Sequence, residues 1–469
     1  MSVPTRRMSH LDAALFALET PANHMNIGLL ATFAPGGSSA SQVVELLRER
    51  LSKSERYDDL RLVVRPSKIG YTPPKLVDGG DLDLGYHVQT AHLSGDGGDG
   101  ELDGWVSHEM SFPLSHDKPL WQMFVVDGLK DGGFALFLKG HHGVMDGPAA
   151  LNTALQIFDG ERLLGSSHVT HGFLGDRRGR VTSAIGGVLD YVSYPVRIVR
   201  LVLDPTRSAV TRNRLSFWPK FFIAPRTAVN RSIGGDRTVV RASLPLDRIA
   251  KARRHADATS LDLVLAVVSS SLRKVLKMRD ALPVQSLIAM VPVAQSGDMW
   301  RKSSGNRIAL EFVSLATNIG DPHERLRRIV KAARDARQVT RLRGSDLWER
   351  YSGIVLPGPL HWLARFSERV RLFDRIRPFA SVIVSSLSGP RTSVTLGGSQ
   401  LTGLWPFGPP RDGGSLNVTA VSFGDRLYFG VVGDKALSAE VNEMARGFSD
   451  ALDEISSEDS TAKMAPVRE

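Results

Sequence analysis

Cysteine is absent from all 469 residues of the chain. That excludes disulfides, thiolate metal ligands and a cysteine nucleophile, and it agrees with a reducing compartment. Long apolar runs are missing too: no stretch reaches the roughly 18 residues a membrane-spanning helix needs. The opening, MSVPTRRMSHLDAALFALET, lacks the apolar core and small-residue cleavage site of a secretory signal. These absences point to a cytoplasmic protein that meets membranes only at their surface. Zinc-finger spacing, helix-turn-helix and RNA-stacking signatures are also missing, so no nucleic-acid partner is expected. Charge, however, is unbalanced: 59 Lys and Arg face 49 Asp and Glu, a formal net charge of +10. With nucleic acid set aside, that excess favours an anionic membrane surface or a polyanionic ligand.

What is present is ordinary globular composition, 42% hydrophobic and 23% charged, at a length that suits two or three domains with real cores. HLDAALFALE (10–19) has helical spacing with Asp12 in its first turn, NIGLLATFAP (26–35) reads as a strand, and SASQVVELLRERLS (39–52) as an amphipathic helix. LWQMFVVDGL and FALFLKG flank KDGG, a hairpin signal. PAALNTALQIFDG is helical, with proline in its first turn. Residues 160 to 236 change character and read as a connection. A second alternation follows: TVVRASL, the helix LDLVLAVVSSSLRKVL, SLIAMVPV, RIALEFVSL, the helix ERLRRIVKAARDARQ, then SVIVSSLSGP, NVTAVSF, RLYFGVVG and a last helix at 438–455. Strands and helices mixed in both halves predict an α/β protein. The expected division is 1–165, a connecting crossover at 166–236, a second unit at 237–455, and a disordered tail at 456–469.

The chemistry concentrates in KGHHGVMDGPAA (139–150). A histidine at a strand end in a glycine-containing loop suits a general base, because its reference pKa lies near neutrality. Asp146 supplies an anion that fixes the loop through hydrogen bonds or an arginine pair. Gly147 lets the backbone turn tightly and approach a substrate. Two histidines and an aspartate also match metal ligands. Adjacent strand residues point to opposite faces, though, so His141 and His142 are badly placed to share one ion, and no metal is expected. A purely structural role for the motif remains the other alternative.

HHxxxDG resembles the motif of the CoA-dependent acyltransferase superfamily, and the wider chain resembles its bacterial wax ester synthase/diacylglycerol acyltransferase branch. The likeness runs through LDAALFALE…NHMNIG, DLDLGYHV (81–88), KPLWQMFVVDGL (118–129), VPVA…GNRIALEFVSL, DPHERLRRI and NVTAVSFGDRLYFGVVGD (417–434). It implies two chloramphenicol-acetyltransferase-like subdomains, each a mixed sheet with flanking helices, and a tunnel between them with the HHxxxDG loop at its centre. It further implies that His142 takes the proton of an acceptor hydroxyl, that the oxygen attacks the acyl-CoA thioester directly, and that His142 then protonates the departing thiolate. His141, Asp146 and Gly147 complete the catalytic loop, and Asp262, Asn306 and Ser385 support it. Acyl-CoA enters as co-substrate, with no separate cofactor. The acceptor is diacylglycerol or a long-chain alcohol, drawn from the inner membrane or a lipid droplet with which the protein associates peripherally.

Two departures stand out. The family commonly has Asn-Asp where this chain reads Leu261-Asp262, and Ser-Asn-Val-Pro-Gly-Pro where it reads SSLSGP (385–390), keeping only Ser385, Gly389 and Pro390. Both remove an amide side chain. They leave open two alternatives: an acyltransferase for another lipid or polyketide hydroxyl, and a catalytically weakened, lipid-binding or droplet-associated member.

Other features have plainer readings. SGDGGDG (94–100) contains GxGxxG, but its aspartates would repel a pyrophosphate, so a surface loop is expected. Trp121 is expected in the core, and Asp262 and Asn306 suit capping as well as site support. GGVLDYVSYPVRIVRLVLD (186–204) and LPGPLHWLARFSERVRLFDRIRP (356–378) mix apolar and basic residues. Leu360, Leu363, Phe366, Val370 and Phe373 share a face in the second, which reads either as a core-packed helix or as one lying among lipid headgroups.

Overall fold

The computed structural model describes residues 5–53, 55–67, 70–159, 224–294, 308–343, 355–390 and 392–457. Most of the connecting crossover, the 186–204 stretch, Asn306 and almost all of the C-terminal tail lie outside the described residues.

Two six-stranded sheets organise the chain. In the first, the order is Thr395–Leu396, Ser399–Phe407, Asn26–Phe33, Phe134–His141, Trp121–Asp127 and Val88–His92. Its neighbours run antiparallel except for the last pair, which is parallel. In the second, the order is Ile308–Ser314, Ile288–Ala294, Val382–Ser388, Leu416–Phe423, Arg426–Asp434 and Arg237–Pro245. Here Val382–Ser388 pairs in parallel on both sides and the other pairs are antiparallel. A small three-stranded sheet joins Arg6–Arg7, Lys75–Asp78 and Leu62–Arg65. The hairpin across KDGG forms as expected, with Trp121 opposite Gly140 and Gly132 in the left-handed region at φ +77°.

Of the strands that escaped the sequence reading, Ser399–Phe407 matters most for the site. After Val382–Ser388 of the second sheet the chain passes through Thr395–Leu396 to Ser399–Phe407, which pairs with Asn26–Phe33 in the first sheet, Phe407 opposite Gly28. Its alternation of buried and exposed residues is strand-like, but Gly403 and Pro406 interrupt the composition that signals a strand. A register shift between Leu401 and Gly403 accommodates the irregularity. The segment 395–407 thus belongs spatially with the first unit, although it lies within 237–455 in sequence. The terminal helix is likewise two helices, Ser438–Arg446 and Phe448–Ser456, divided at Gly447, where glycine weakens helix propagation.

The seam between the halves has a regular construction. Arg237–Pro245 is the edge strand of the second sheet, and helix Asp99–Met110 of the first half lies along it. The amides of Arg237 and Val239 donate to Ser111 Oγ and Ser107 Oγ, each at 2.8 Å, and that of Arg241 reaches Asp103 Oδ2 at 3.3 Å. Four helical residues rise about 6 Å and two strand residues about 6.6 Å, so the two repeats stay nearly in step. The guanidinium of Arg241 pairs with Asp103 and Asp99. An edge whose free amides would attract other strands is covered in this way.

Each half has its own core. In the second, helix Ser260–Met278 is buried along most of its length against the sheet and helix Pro322–Arg343. In the first, Trp121 is fully buried, donates from Nε1 to the Leu60 carbonyl at 2.8 Å, and stacks on His87 with centroids 4.3 Å apart. Trp121 is a core residue, as expected.

Candidate active site

The strand Phe134–His141 is buried at every position, and the HHGVMDG loop leaves its end. The His141 amide donates to the Leu120 carbonyl at 3.0 Å and the His142 amide to the Met25 carbonyl at 2.7 Å, so both neighbouring segments hold the loop. The His141 carbonyl then accepts from Val144 and Met145, closing a turn. Asp146 is the N-cap of helix Gly147–Ile157, its Oδ1 accepting from the Ala149 amide at 2.7 Å, with Pro148 in the first turn.

The two imidazoles differ in kind. His141 is fully buried. Its Nδ1 accepts from the Gly143 amide at 2.9 Å, which leaves the proton of the neutral ring on Nε2, 3.4 Å from Glu19 Oε2. The same Glu19 oxygen lies 2.6 Å from His116 Nε2. Burial works to raise the Glu19 carboxyl, but its bonds to His116 and His141 outweigh that and hold it well below the usual carboxylate range. The Glu19 bond in turn raises the half-exposed His116. His141 is therefore held by a hydrogen bond at Nδ1 and faces the Glu19 carboxylate at Nε2, an arrangement for shaping the loop. A side chain at Gly143 would sit 3.1 Å from the His141 ring and 3.2 Å from the Asp12 carbonyl, so any Cβ there would press its neighbours apart by a few tenths of an ångström.

His142 is only partly buried. Burial, followed by the positive charge of Arg411, lowers its pKa to about 4. At neutral pH the ring carries no charge and can accept a proton. A base at a strand end, with its neighbour locked, can take a proton from a bound hydroxyl and pass it to a leaving group.

Several expected placements need correction. Among the described residues Asp146 has no arginine partner; burial raises its carboxyl, opposed by the cap bond from Ala149. Its anchoring role is a helix cap. Gly147 does not occupy a tight turn: it is the first helical residue, its φ is not positive, and a side chain there would only touch the Leu387 methyls at 3.4 and 3.6 Å. Asp262 forms a capping box with Thr259 and pairs with Arg337 at 3.2 Å, both in the second half. Ser385 shares a strand face with Leu387, which puts it on the side of the strand that meets Gly147. One cavity of about 380 Å³ is lined by Tyr86, Phe112, Gln122, Phe124 and Lys139, and His142 does not line it. The GxGxxG stretch is a surface loop whose Gly95 and Gly97 amides bind the Glu101 carboxylate at 2.7 and 2.8 Å. That carboxylate occupies the position a phosphate would need.

The residues that sequence reasoning missed are Glu19, His116, Asn26 and Arg411. Glu19 and Asn26 lie within LDAALFALE…NHMNIG, so their segment was visible although their roles were not. Asn26 pairs with His141 across the sheet, and its Nδ2 donates to the Phe112 carbonyl at 2.7 Å. His116 and Arg411 carry no local pattern.

Comparison with known proteins agrees with this layout. Residues 8–264 match a family model described as the wax ester synthase/diacylglycerol acyltransferase catalytic domain, and residues 304–456 match the C-terminal domain of the same family. A Mycobacterium tuberculosis protein provisionally named diacylglycerol O-acyltransferase is 30% identical over 459 residues, 96% of this chain and 99% of its own. A similarly named Mycobacterium bovis protein is 29% identical over 93% of this chain and 89% of its own. In structure, the wax ester synthase/diacylglycerol acyltransferase of Marinobacter aquaeolei VT8 superposes with a TM-score of 0.66 at 24% identity, over 96% of this chain and 98% of that one. The first condensation domain of the calcium-dependent antibiotic synthetase gives 0.59 at 16% identity, over 98% of both chains. The fold is the mixed α/β arrangement of two acyltransferase-like halves that the sequence implied.

Proposed function

The chain belongs to the wax ester synthase/diacylglycerol acyltransferase family, and from that membership we propose that it moves an acyl group from acyl-CoA to the free hydroxyl of diacylglycerol, with long-chain alcohols as further acceptors. The observation that carries the mechanism is His142 at the end of its strand, uncharged at neutral pH and backed by a locked His141. The acceptor O–H gives its proton to His142 as the oxygen bonds to the thioester carbon. The resulting tetrahedral adduct collapses, the C–S bond breaks with its electron pair on sulfur, and His142 returns the proton to the thiolate. The donor and acceptor reach His142 along the seam between the halves.

The acceptor is almost insoluble, so the protein has to work at a lipid surface. Among the described residues no helix is long and apolar enough to cross a membrane. Helix Pro357–Arg369 offers another means of contact. His361 Nδ1 lies 3.1 Å from the Ala17 carbonyl, so the helix is docked on the opening helix of the chain. Its Trp362, Leu363 and Phe366 are nevertheless exposed at 68%, 51% and 46%, and Trp362 stacks on Phe366 at 5.5 Å. Such a face with Arg365 and Arg369 beside it suits anionic headgroups over a core-packed role.

The test is purified protein with labelled long-chain acyl-CoA and a panel of diacylglycerol, long-chain alcohol and other lipid hydroxyls, with products separated by class. Labelled triacylglycerol, with or without wax ester, is expected. Release of free fatty acid alone would overturn the reading.

A further inference from the structure

Among the described residues no acid pairs with Arg411. Its Nε is buried without a hydrogen-bond acceptor, and burial lowers its pKa to about 10 with no carboxylate opposing the effect. Arg411 is partly buried, and a cation whose Nε is shut away from acceptors costs stability, so its persistence suggests an anion that arrives during function.

Its position is fixed by the backbone. The Arg411 amide donates to the Gly414 carbonyl at 3.0 Å and the Gly414 amide returns the bond at 2.9 Å, while Asp412 Oδ1 accepts from the Ile233 amide at 2.9 Å. This turn follows strand Ser399–Phe407, the one that crosses into the first sheet. Phe407 lies opposite Gly28, and Asn26 lies opposite His141. The chain therefore leaves the 399–407 strand at the same end of the sheet where His142 leaves its own, with a single strand between them. Arg411 and the adjacent His141 are the charged and titratable groups whose fields act on His142.

We propose that Arg411, which leaves the sheet at the same end as His142, is the electrostatic partner of that histidine and receives the negative charge that forms on the thioester oxygen. This rests on the acyl-transfer reading above. As the acceptor oxygen bonds to the thioester carbon, the carbonyl π pair moves onto its oxygen and the acceptor proton moves onto His142. The oxyanion offsets the Arg411 charge, so the imidazole becomes a stronger base at the moment it must hold a proton. When the adduct collapses and the C–S pair leaves on sulfur, the full Arg411 field returns and favours release of the proton from His142 to the thiolate. A cation that depresses the resting base thus assists both proton transfers.

The experiment compares Arg411→Met and Arg411→Lys with the wild type. His142 is titrated by NMR in histidine-labelled free protein, its signal among the 13 histidines identified with His142→Gln. Arg411→Met is expected to raise the His142 midpoint by about half a unit or more, while burial keeps it below the free-histidine value. Arg411→Lys keeps the midpoint low. Single-turnover transfer is expected to fall about 100-fold in Arg411→Met and less in Arg411→Lys. A folded Arg411→Met variant with unchanged titration would overturn the proposal, as would equal losses of rate and melting temperature in both variants. Non-additive losses of melting temperature between Arg411→Met and Asp146→Asn would also overturn it, by assigning Arg411 to Asp146. The titration needs no turnover, so failure to acylate any acceptor would sink the function reading without deciding this one.

Discussion

Glu19 Oε2 stands 3.4 Å from His141 Nε2 and 2.6 Å from His116 Nε2. One carboxylate from the first forty residues thereby orients the first histidine of the motif and retains a partly solvated second imidazole. The raised His116 contributes stability that is complete below its unfolded pKa and is lost as pH rises through its higher folded pKa. The lowered Glu19 contributes above its unfolded pKa and loses that contribution only in strong acid. Their joint contribution is therefore complete between about pH 4.5 and 6.5. The melting-temperature gap between wild type and Glu19→Gln should be widest near pH 5.5 and narrow by pH 9. A gap that grows with pH would contradict the pairing.

His142 and His141 should separate cleanly. His142→Ala is expected to lower acyl transfer about 100-fold or more while the protein stays folded. His141→Ala should lose less activity and more thermal stability, because it empties a buried position that is hydrogen-bonded to Gly143 and lies 3.4 Å from Glu19. With His142 lowered to about 4, the acidic limb of kcat/KM should fall near that value, well below the limb of an ordinary histidine. A limb at about pH 6.5 would mean that the ring is solvated and far from Arg411.

Asp146 offers a distinction between a cap and an ion pair. Asparagine accepts from an N-cap amide as well as aspartate does, so Asp146→Asn should melt close to wild type. Asp146→Ala should lose about 1 kcal/mol. A large loss in Asp146→Asn, measured by denaturant unfolding, would point to a buried counter-cation instead.

The general fold and the HHxxxDG loop were legible because they rest on local signals. Strands and helices were visible through their periodicity, the hairpin through KDGG, and the site through seven consecutive residues. What escaped was long-range. The Ser399–Phe407 strand could not be assigned to the first sheet from its own residues, since its partner lies some 370 positions earlier. Arg411 depends on that crossing and was equally hidden. Asp146 was expected to fix the loop through hydrogen bonds or an arginine pair; a backbone amide three residues on proved sufficient. The basic-apolar helix at 357–369 was ambiguous because helical spacing shows that a face is apolar but not what covers it.

The seam can be tested at one atom. Ser107→Ala removes the acceptor for the Val239 amide, leaving a buried donor on the edge strand at an expected cost of about 1–3 kcal/mol. Ser107→Thr, which restores a hydroxyl, should recover part of it. Denaturant unfolding of the two variants reads the difference, and equal stability of Ser107→Ala and wild type would mean that water replaces the serine.

The exposed face of helix Pro357–Arg369 leads to the last test. Each Lys or Arg near an anionic surface contributes about 1 kcal/mol, and inserted apolar side chains add to it. Trp362, Leu363 and Phe366 supply the apolar part and Arg365, Arg369 and Arg375 the charge, all but Arg375 on this one helix. Wild-type protein should bind vesicles containing anionic lipid in a salt-sensitive way and bind neutral vesicles weakly. Changing Arg365, Arg369 and Arg375 together to glutamate should weaken vesicle binding and activity on emulsified diacylglycerol, and Trp362→Ser with Phe366→Ser should do the same with less effect on the salt dependence. Because Trp362 and Phe366 are exposed and the arginines are exposed beside them, activity on a short, water-soluble alcohol should survive both changes. Equal, salt-independent binding to neutral and anionic vesicles would show that the arginines serve some other end, with attraction of the CoA phosphates the leading rival. Loss of activity on the soluble alcohol in parallel would mean instead that the helix supports the active site through its contact with the opening helix.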